Sequence, residues 1–446
     1  MSALDIAISQ WIAREHGDEI ALATLAQIEL RSGERALTLL EDRVALANRT
    51  FANLSAYDLA LWFAVNWWRL RWEPFRDGAD WRMAHSMTTV GGGYVWPSIT
   101  MISDGEHIQL QVRPTAGMDW EPIRYLESID RIVPAGDFEL AIDSFVESVL
   151  ARLFGRNLSS TELHELWEEL IAERRNPSSA SLRKLEALLG FDAGIAPDDV
   201  IDSLFSAAEA YGRSAIDEIA AGVGGGAPQV IETIVEDLDR NGTDLSCDHI
   251  RDLASHQTEW NFTGEPWERA TEAARIARTI WKLDGSPVPN SALTRIAGTT
   301  KNFISSRAVF CDSPIAAGKW TTRSRDSWRV ILKSRWPVNR RFELCRLIAD
   351  GLVASEGDLL LPATASRTSR QKFQRAFAQE FLCPFDVLRE RLGPSAPTDE
   401  DIEDAAAHFE VSPLVIRTTL VNKGILPRDL LSANSEVELA PTGTWK

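Results

Sequence analysis

The chain has 446 residues and a formal net charge of -18, with 44% hydrophobic and 25% charged residues. This composition is typical of a folded globular protein and excludes collagen-like, coiled-coil and largely disordered classes. At roughly 100 to 200 residues per domain, the length predicts two or three domains. The longest apolar run, residues 59–68, is about half of the ~20 residues that a membrane span needs, so no membrane segment is predicted. Residues 1–17 lack a signal-peptide pattern, and we expect a cytoplasmic protein.

The four cysteines are too sparse to form a disulfide framework in a chain of this length. They are separated by dozens of residues and form no CxxC pair. We therefore expect free, buried thiols. The cysteines are Cys247, Cys311, Cys345 and Cys383.

Tryptophan is over-represented, because the chain has 16 tryptophans beside only 4 tyrosines. Indole is a large apolar group with one hydrogen-bond donor, so clusters of it occur in cores, in ligand pockets and at interfaces. We expect an aromatic core, with a ligand pocket or interface as the alternative. Seven of the tryptophans fall within about sixty residues: Trp62, Trp67, Trp68, Trp72, Trp81, Trp96 and Trp120.

The net charge conceals an asymmetry along the chain. Residues 1–250 hold 41 acidic and 20 basic residues, whereas residues 251–446 hold 24 acidic and 27 basic residues. Within the second part, residues 301–350 carry 11 bases against 4 acids. A basic segment with interleaved tryptophans can bind phosphates and stack on bases, but it can equally pair with acids of its own chain. The residues of this basic stripe are Lys319, Trp320, Arg323, Arg325, Trp328, Arg329, Lys333 and Arg335.

The N-terminal portion predicts a mixture of helices and strands. Residues 3–14 carry apolar side chains near helical spacing and predict a short helix. An Asp-Gly pair at 104–105 predicts a hairpin between the runs 95–101 and 107–112. The other predicted elements are strands over 21–30, 36–41 and 125–133 and helices over 56–72 and 138–154.

Residues 159–221 have a helical pattern throughout, with acidic runs that are typical of solvated helix faces. Residues 221–228 include three adjacent glycines and a proline, which suit neither a helix nor a strand, so a linker is predicted there. The predicted fold is α+β and predominantly helical. Its three parts are a Trp-rich α+β domain over 1–156, an acidic helical segment with the Gly-rich linker over 157–228, and a C-terminal domain over 229–446.

The C-terminal part contains four segments whose order is informative. They are 266–270 (PWERA), 341–350 (RFELCRLIAD), 376–384 (AFAQEFLCP) and 405–413 (AAAHFEVSP). Together they resemble the ImmA/IrrE-type zinc metallopeptidases, in which the middle segments read RFxxAHELGH and ExxANxFAxxLLxP and a VS-containing helical segment follows. The resemblance covers about the last 40% of the chain and implies a zincin-like domain.

The resemblance also implies a metal site, in which two histidines four residues apart hold zinc, a glutamate acts as general base and a downstream glutamate completes the site. Those positions fall here on Arg346, Leu347, Asp350 and Gln371. An arginine has no lone pair to donate and a leucine carries no proton, so we expect no catalytic zinc and no other cofactor. The four positions are predicted to form a degenerate peptidase site that serves as a ligand groove. Arg346 and Asp350 are expected to pair along one helix.

Three further candidates lie outside that motif. Residues 404–422 resemble a helix-turn-helix, with Arg417, Thr418 and Thr419 on its second helix. That helix offers one base, and the family resemblance accounts for the same segment as packing. The glycines at 91–93 lack the spacing of a phosphate loop and predict a tight entry to a strand. His85, which lies among tryptophans, is expected to be a hydrogen-bonded core residue rather than a catalytic base.

Three hypotheses about function follow from these patterns. The first is a non-catalytic, ImmA/IrrE-like regulatory or sensor protein that binds a ligand or a protein partner. For it the resemblance implies a role in stress response, in phage or mobile-element control, or in toxin-antitoxin-type regulation. The second hypothesis is a zinc metallopeptidase that cleaves a regulator with unconventional ligands. The third is a nucleic-acid-binding regulator that uses the basic stripe and the helix-turn-helix-like segment.

Overall fold

The computed structural model describes residues 4–13, 16–115, 121–255, 264–305, 313–321, 325–428 and 430–431. The chain is grouped into two compact units. Unit 1 comprises residues 1–204, 220–227 and 366–369, and unit 2 comprises residues 205–219, 228–365 and 370–446. The predictions for Trp120, Cys311 and Arg323 lie outside the described residues. Within the described ranges, no helix has the length and apolar character to cross a membrane.

Unit 1 combines helices with small antiparallel sheets, in agreement with the predicted α+β class. Its strands β1 to β10 are Leu4–Trp11, Leu25–Ser32, Arg35–Ala36, Leu40–Asp42, Ala47–Arg49, Ala52–Ser55, Ser98–Ser103, His107–Arg113, Ile123–Tyr125 and Ile129–Pro134. Its helices α1 to α6 are Glu19–Thr24, Ala56–Trp72, Ala79–His85, Ala135–Phe154, Glu162–Arg175 and Pro177–Leu189. The strand orders are β1-β2-β3 with β6 also paired to β2, β10-β8-β7, and β5-β4-β9.

Unit 2 is built around an antiparallel sheet with the strand order β11-β13-β12-β14. Strands β11 to β14 are Thr243–Ser246, Ala316–Trp320, Ser327–Ile331 and Leu360–Ala363. Helices α7 and α8, at Asp198–Tyr211 and Arg213–Val223, each continue from the residues of one unit into those of the other. Helices α9 to α18 are Ala227–Asn241, Asp248–Ser255, Pro266–Ile280, Asn290–Ile296, Lys301–Ser305, Pro337–Val353, Ser369–Leu382, Phe385–Leu392, Asp399–Phe409 and Pro413–Asn422.

The first segment is a strand, so the prediction of a helix over 3–14 is wrong. Strand β1 pairs antiparallel with β2 from Leu4 to Trp11, and its buried residues Leu4 and Ile6 alternate as a strand requires. Five of the eight residues of β1 are apolar, and their spacing suited a helical period as well as a strand. The helix over 56–72 and the Asp-Gly hairpin are confirmed.

Of the predicted segment over 157–228, residues 157–204 and 220–227 are grouped with unit 1 and residues 205–219 with unit 2. Leu163, Trp167 and Leu170 of α5 belong to the same buried cluster as residues of α2 and α4. The amphipathic pattern of α5 explains this, because its apolar stripe needs a surface to cover it.

The predicted Gly-rich linker is a 3-10 turn, Gly224–Gly226, between α8 and α9. The Arg76 guanidinium donates to the carbonyls of Leu188, Ala220 and Ala221 at 2.6, 3.1 and 3.2 Å. Gly224 has φ +75°, and a Cβ there would lie 2.6 Å from Nη1 of Arg76. The glycine is therefore needed so that a half-buried arginine can reach the carbonyls at two helix ends, where its charge also complements the helix dipoles.

The predicted aromatic core is confirmed in unit 1. Trp62, Trp67, Trp68, Trp81 and Trp96 are each at most 7% exposed. The Trp68 indole donates to Glu173 at 3.0 Å, and the Trp67 ring lies 4.4 Å from the guanidinium of Arg174. Both partners lie on α5, so the tryptophans of α2 join that helix to the core through hydrogen bonding and cation-π contact as well as burial.

Three of the cysteines are buried free thiols, as predicted. Cys247, Cys345 and Cys383 form no disulfide, and burial raises the pKa of each thiol to about 12. Thiols with such a high pKa are almost wholly protonated near neutral pH and react slowly as nucleophiles.

His85 is a core residue of unit 1, as predicted. Its side chain is 0% exposed and its ring stacks on Trp81 with a centroid distance of 4.1 Å. Nδ1 lies 2.7 Å from the Trp81 carbonyl oxygen, which fits a neutral ring that donates from Nδ1, and Nε2 makes a longer contact of 3.3 Å with the Arg69 carbonyl. Burial lowers the pKa of His85 to about 4. The neutral imidazole is therefore part of the folded state.

This predicts a loss of stability in mild acid. Between pH 6.5 and about 4 the unfolded chain protonates His85 while the folded chain does not, so the free energy of unfolding falls as the pH falls through that window. A shift of this size corresponds to about 3 kcal/mol. Urea unfolding at several pH values should show a shallower pH dependence for His85→Gln than for the wild type between pH 4 and 6.5. Equal slopes in the two proteins would contradict the assignment.

Candidate functional site

The structure brings together the residues that the motif selects in unit 2. Arg346, Leu347 and Asp350 lie on α14, and Gln371 lies in the first turn of α15. The Nη2 group of Arg346 donates to Oε1 of Gln371 at 2.6 Å. Two of the positions that correspond to metal ligands in the family pattern are therefore in direct contact, although they are 25 residues apart in the sequence.

Arg346 is held by neutral acceptors rather than by a carboxylate. Its Nη2 group also donates to the Thr364 carbonyl at 2.6 Å and to Oε1 of Gln374 at 3.3 Å. Burial lowers the pKa of Arg346 to about 10. The side chain thus keeps its positive charge near neutral pH, and its guanidinium lies at the position where the family pattern places a ligand of the metal cation.

Asp350 pairs with Arg370 and not with Arg346, which corrects the predicted pair along the helix. Arg370 donates from Nε and Nη2 to the two oxygens of Asp350 at 2.6 and 2.9 Å. Its Nη1 group donates to Asp358 at 2.9 Å and to the Ser214 hydroxyl at 2.8 Å. Burial opposes the charge on Arg370, but the attraction of Asp350 and the other carboxylates outweighs it and raises the pKa of the guanidinium.

Asp358 connects this pair to the start of α8. Its Oδ1 atom accepts a hydrogen bond from the Ala215 N–H at 3.3 Å. Gly212 has φ +103°, and a Cβ at that position would lie 2.5 Å from the Asp358 Cα. The close approach of the two backbones therefore requires glycine, and it lets a carboxylate complement the N-terminal dipole of α8.

These residues do not fit a zinc ion. Both oxygens of Asp350 accept from Arg370, and Oε1 of Gln371 accepts from both Arg346 and the Thr364 N–H. Arg346 has no lone pair to offer a metal. Among the residues that the structure describes, no group of three or more His, Cys, Asp or Glu could hold a metal ion.

The same side chains cover the outer edge of the sheet. Strand β14 lies at the end of the strand order, and the side-chain amides of Gln371 and Gln374 both donate to the Pro362 carbonyl at 3.0 Å. Oε1 of Gln371 accepts from the Thr364 N–H at 3.0 Å, and Arg346 donates to the Thr364 carbonyl. Backbone groups that an added peptide strand would need are therefore already hydrogen-bonded.

The predicted ligand groove is consequently packed and closed at three of its four positions. Leu347, Asp350 and Gln371 are each 0% exposed, whereas Arg346 is partly exposed. Leu347 belongs to the apolar core of unit 2. We refer to Arg346, Asp350, Asp358, Arg370, Gln371 and Gln374 as the Arg-Asp-Gln cluster.

Sequence reasoning missed Arg370, Asp358 and Gln374. Arg370 immediately precedes Gln371, so a search of the residues next to each motif position for opposite charges would have found one partner for Asp350. Asp358 and Gln374 carry no such signal, because their roles depend on how the chain folds between α14 and α15.

The basic stripe is largely paired within unit 2. Arg329 forms a bidentate pair with Asp244 at 2.8 and 2.9 Å, and Lys319 contacts Asp239 at 3.0 Å. Arg325 donates to the backbone carbonyl of Ser355. Trp320 and Trp328 are 3% and 0% exposed, so these indoles pack in the core and are not available to stack on bases. Lys333 and Arg335 are exposed.

The helix-turn-helix-like segment forms as α17 and α18, with Glu410 at φ +52° in the turn. Arg417 pairs with Asp399 at 2.9 Å, and Thr419 is buried. Residues 399–424 contain 6 acids and 2 bases. An acidic segment whose arginine is already paired repels phosphates, so the packing interpretation is favoured over DNA binding.

The cluster predicts a strong dependence of stability on its ion pair. Arg370 and Asp350 have side chains that are 10% and 0% exposed, and removing one partner of a buried pair costs about 3 to 5 kcal/mol. We expect Asp350→Ala to lower the free energy of unfolding by that amount in urea titrations.

A matched control exists in the same unit. Arg329 and Asp244 form the same bidentate arrangement with side chains that are 33% and 60% exposed, so Asp244→Ala should cost at most about 1 kcal/mol. Equal losses for Asp350→Ala and Asp244→Ala would show that burial does not set the strength of the Asp350 pair.

Comparison with known proteins adds no relative to this picture. No family model, no curated protein and no solved structure matches the chain.

Proposed function

We propose that this protein is a non-catalytic relative of the ImmA/IrrE-type metallopeptidases that acts in regulation by binding a partner. One observation carries the proposal. The order of the sequence motifs selects Arg346, Asp350 and Gln371 as the counterparts of metal ligands, and these residues lie on α14 and α15, where Arg346 contacts Gln371 and Asp350 pairs with Arg370, the residue before Gln371. A chance match of motifs would not be expected to select residues that meet in space.

The chemistry of the cluster supports the non-catalytic part of the proposal. The general-base position holds a buried leucine, which can neither accept nor donate a proton. The position of the first metal ligand holds a guanidinium, and the carboxylate of Asp350 is neutralised by Arg370. Peptide hydrolysis needs an activated water molecule, and these side chains offer no group that activates one.

The regulatory part of the proposal rests on the family resemblance, which implies control of stress response or of phage and other mobile elements. The hydrogen bonds along β14 occupy the sheet edge at which an extended peptide would add, so a partner of unit 2 would bind elsewhere than at this edge. A protein partner is the proposed ligand class.

Metal analysis tests the catalytic question directly. Protein that has been incubated with zinc and desalted should contain substoichiometric zinc, measured by inductively coupled plasma mass spectrometry. Stoichiometric zinc that disappears in Arg346→Ala or Asp350→Ala would overturn the non-catalytic assignment and favour a metallopeptidase.

A rebuilt site tests the family assignment separately. The combined variant Arg346→His, Leu347→Glu, Asp350→His and Gln371→Glu restores the ligand types of the pattern, so it should bind one zinc per chain. The matched control keeps Arg346 and carries the other three substitutions, and it should bind little. Circular dichroism must show that both variants are folded. A folded rebuilt variant that binds no more zinc than this control would contradict the assignment of these positions.

A further inference from the structure

An exposed aromatic residue flanked by cations lies in the loop between β13 and α14. Trp336 is 47% exposed, and Lys333 and Arg335 are exposed on the same short segment. The Arg335 guanidinium lies 5.4 Å from the centre of the Trp336 ring. We refer to Lys333, Arg335 and Trp336 as the Trp336 patch.

The two cations of the patch differ from the other basic residues of the stripe. Lys319 and Arg329 are neutralised by Asp239 and Asp244. In the part of the chain that the structure describes, Lys333 and Arg335 form no ion pair with any acid. Their charge is therefore available to a ligand.

The loop that carries the patch is held in place. The Ser334 N–H donates to the Glu343 carboxylate at 3.1 Å, and the Trp336 N–H donates to the Ser334 hydroxyl at 3.2 Å. Glu343 is the acid that anchors the loop, and burial raises its pKa. Helix α14 begins at Pro337 with no acidic residue in its first turn, so its dipole adds to the positive potential of the patch.

The chemistry of the patch distinguishes among ligand classes. An acidic peptide would use the cations and make little use of the indole, and an apolar peptide would cover the indole beside two unpaired cations. A single-stranded nucleic acid uses both, because its bases stack on indole and its phosphates pair with lysine and arginine. Double-stranded nucleic acid keeps its bases stacked inside the helix and offers no face to the indole.

We propose that the Trp336 patch binds single-stranded nucleic acid, with a base on the Trp336 indole and phosphates on Lys333 and Arg335. This goes beyond the proposed regulatory function, because it assigns a ligand class to a surface outside the Arg-Asp-Gln cluster. The two proposals can fail independently.

Fluorescence anisotropy with a labelled 20-nucleotide oligothymidylate tests the patch in the full chain. The wild type should bind with a dissociation constant in the range of about 1 to 100 µM at low salt. Trp336→Ala should weaken binding about tenfold, in keeping with the loss of one stacked base. The double variant Lys333→Gln/Arg335→Gln should reduce the slope of log K against log salt by about 1.4, which corresponds to about 0.7 for each phosphate that the protein no longer neutralises.

The double variant Lys319→Gln/Arg329→Gln is the matched control. It removes the same charge from the same unit, but from residues that are already paired with acids, so the salt slope should remain that of the wild type. Absence of binding by the wild type at low salt would overturn the proposal. So would binding that Trp336→Ala leaves unchanged, or a labelled polyglutamate peptide that binds as tightly as the oligonucleotide, which would instead indicate an acidic protein partner.

Discussion

The arrangement of unit 2 depends on the buried ion pair between Asp350 and Arg370. Asp350 is 0% exposed on α14, and Arg370 lies at the start of α15, so the pair fixes the two helices that would carry the metal ligands of a peptidase. Arg370 also reaches Asp358, which holds the start of α8. A buried carboxylate is tolerable only with such partners, because desolvation of an unpaired charge costs several kcal/mol. The positive charge on these two helices comes from Arg370, which pairs with Asp350, and from Arg346.

Arg346 on α14 and Gln371 on α15 also close the neighbouring edge of the sheet at β14. The hydrogen-bonding groups of Arg346 and Gln371 find their partners on the backbone next to β14 and on each other. The same hydrogen bonds therefore close the sheet edge and occupy the groups that the proposal treats as unable to bind a metal. A partner of unit 2 would have to bind a different surface. The exposed loop before α14 is such a surface.

The order of the motif segments selected Arg346, Asp350 and Gln371, and the structure places them on α14 and α15 with Arg346 in contact with Gln371. The identity of the partner of Asp350 could not be obtained in this way. Arg346 is the closest base along α14, but Arg370 reaches Asp350 only through the packing of α15 against α14. The helix predicted over 3–14 failed for a similar reason, since pairing with β2 overrode a local pattern that suited either structure. The break predicted over 221–228 contains the point at 227–228 where the chain passes from the residues of unit 1 to those of unit 2, but the need for glycine at 224 arises from Arg76, nearly 150 residues earlier, and could not be predicted.

Charge and tryptophan content both had to be interpreted residue by residue. The basic stripe looks like a continuous binding surface in the sequence, yet Lys319 and Arg329 are paired with acids and two of its tryptophans are buried. The other described residues of the stripe are buried, paired with acids or hydrogen-bonded to a backbone carbonyl, so they are poor candidates for binding a ligand. Lys333 and Arg335 are exposed and form no ion pair with a described acid, and Trp336 beside them is an exposed indole. Lys333 and Arg335 keep their charge beside a partly exposed indole, and this combination is the physical basis on which a nucleic-acid ligand is proposed there.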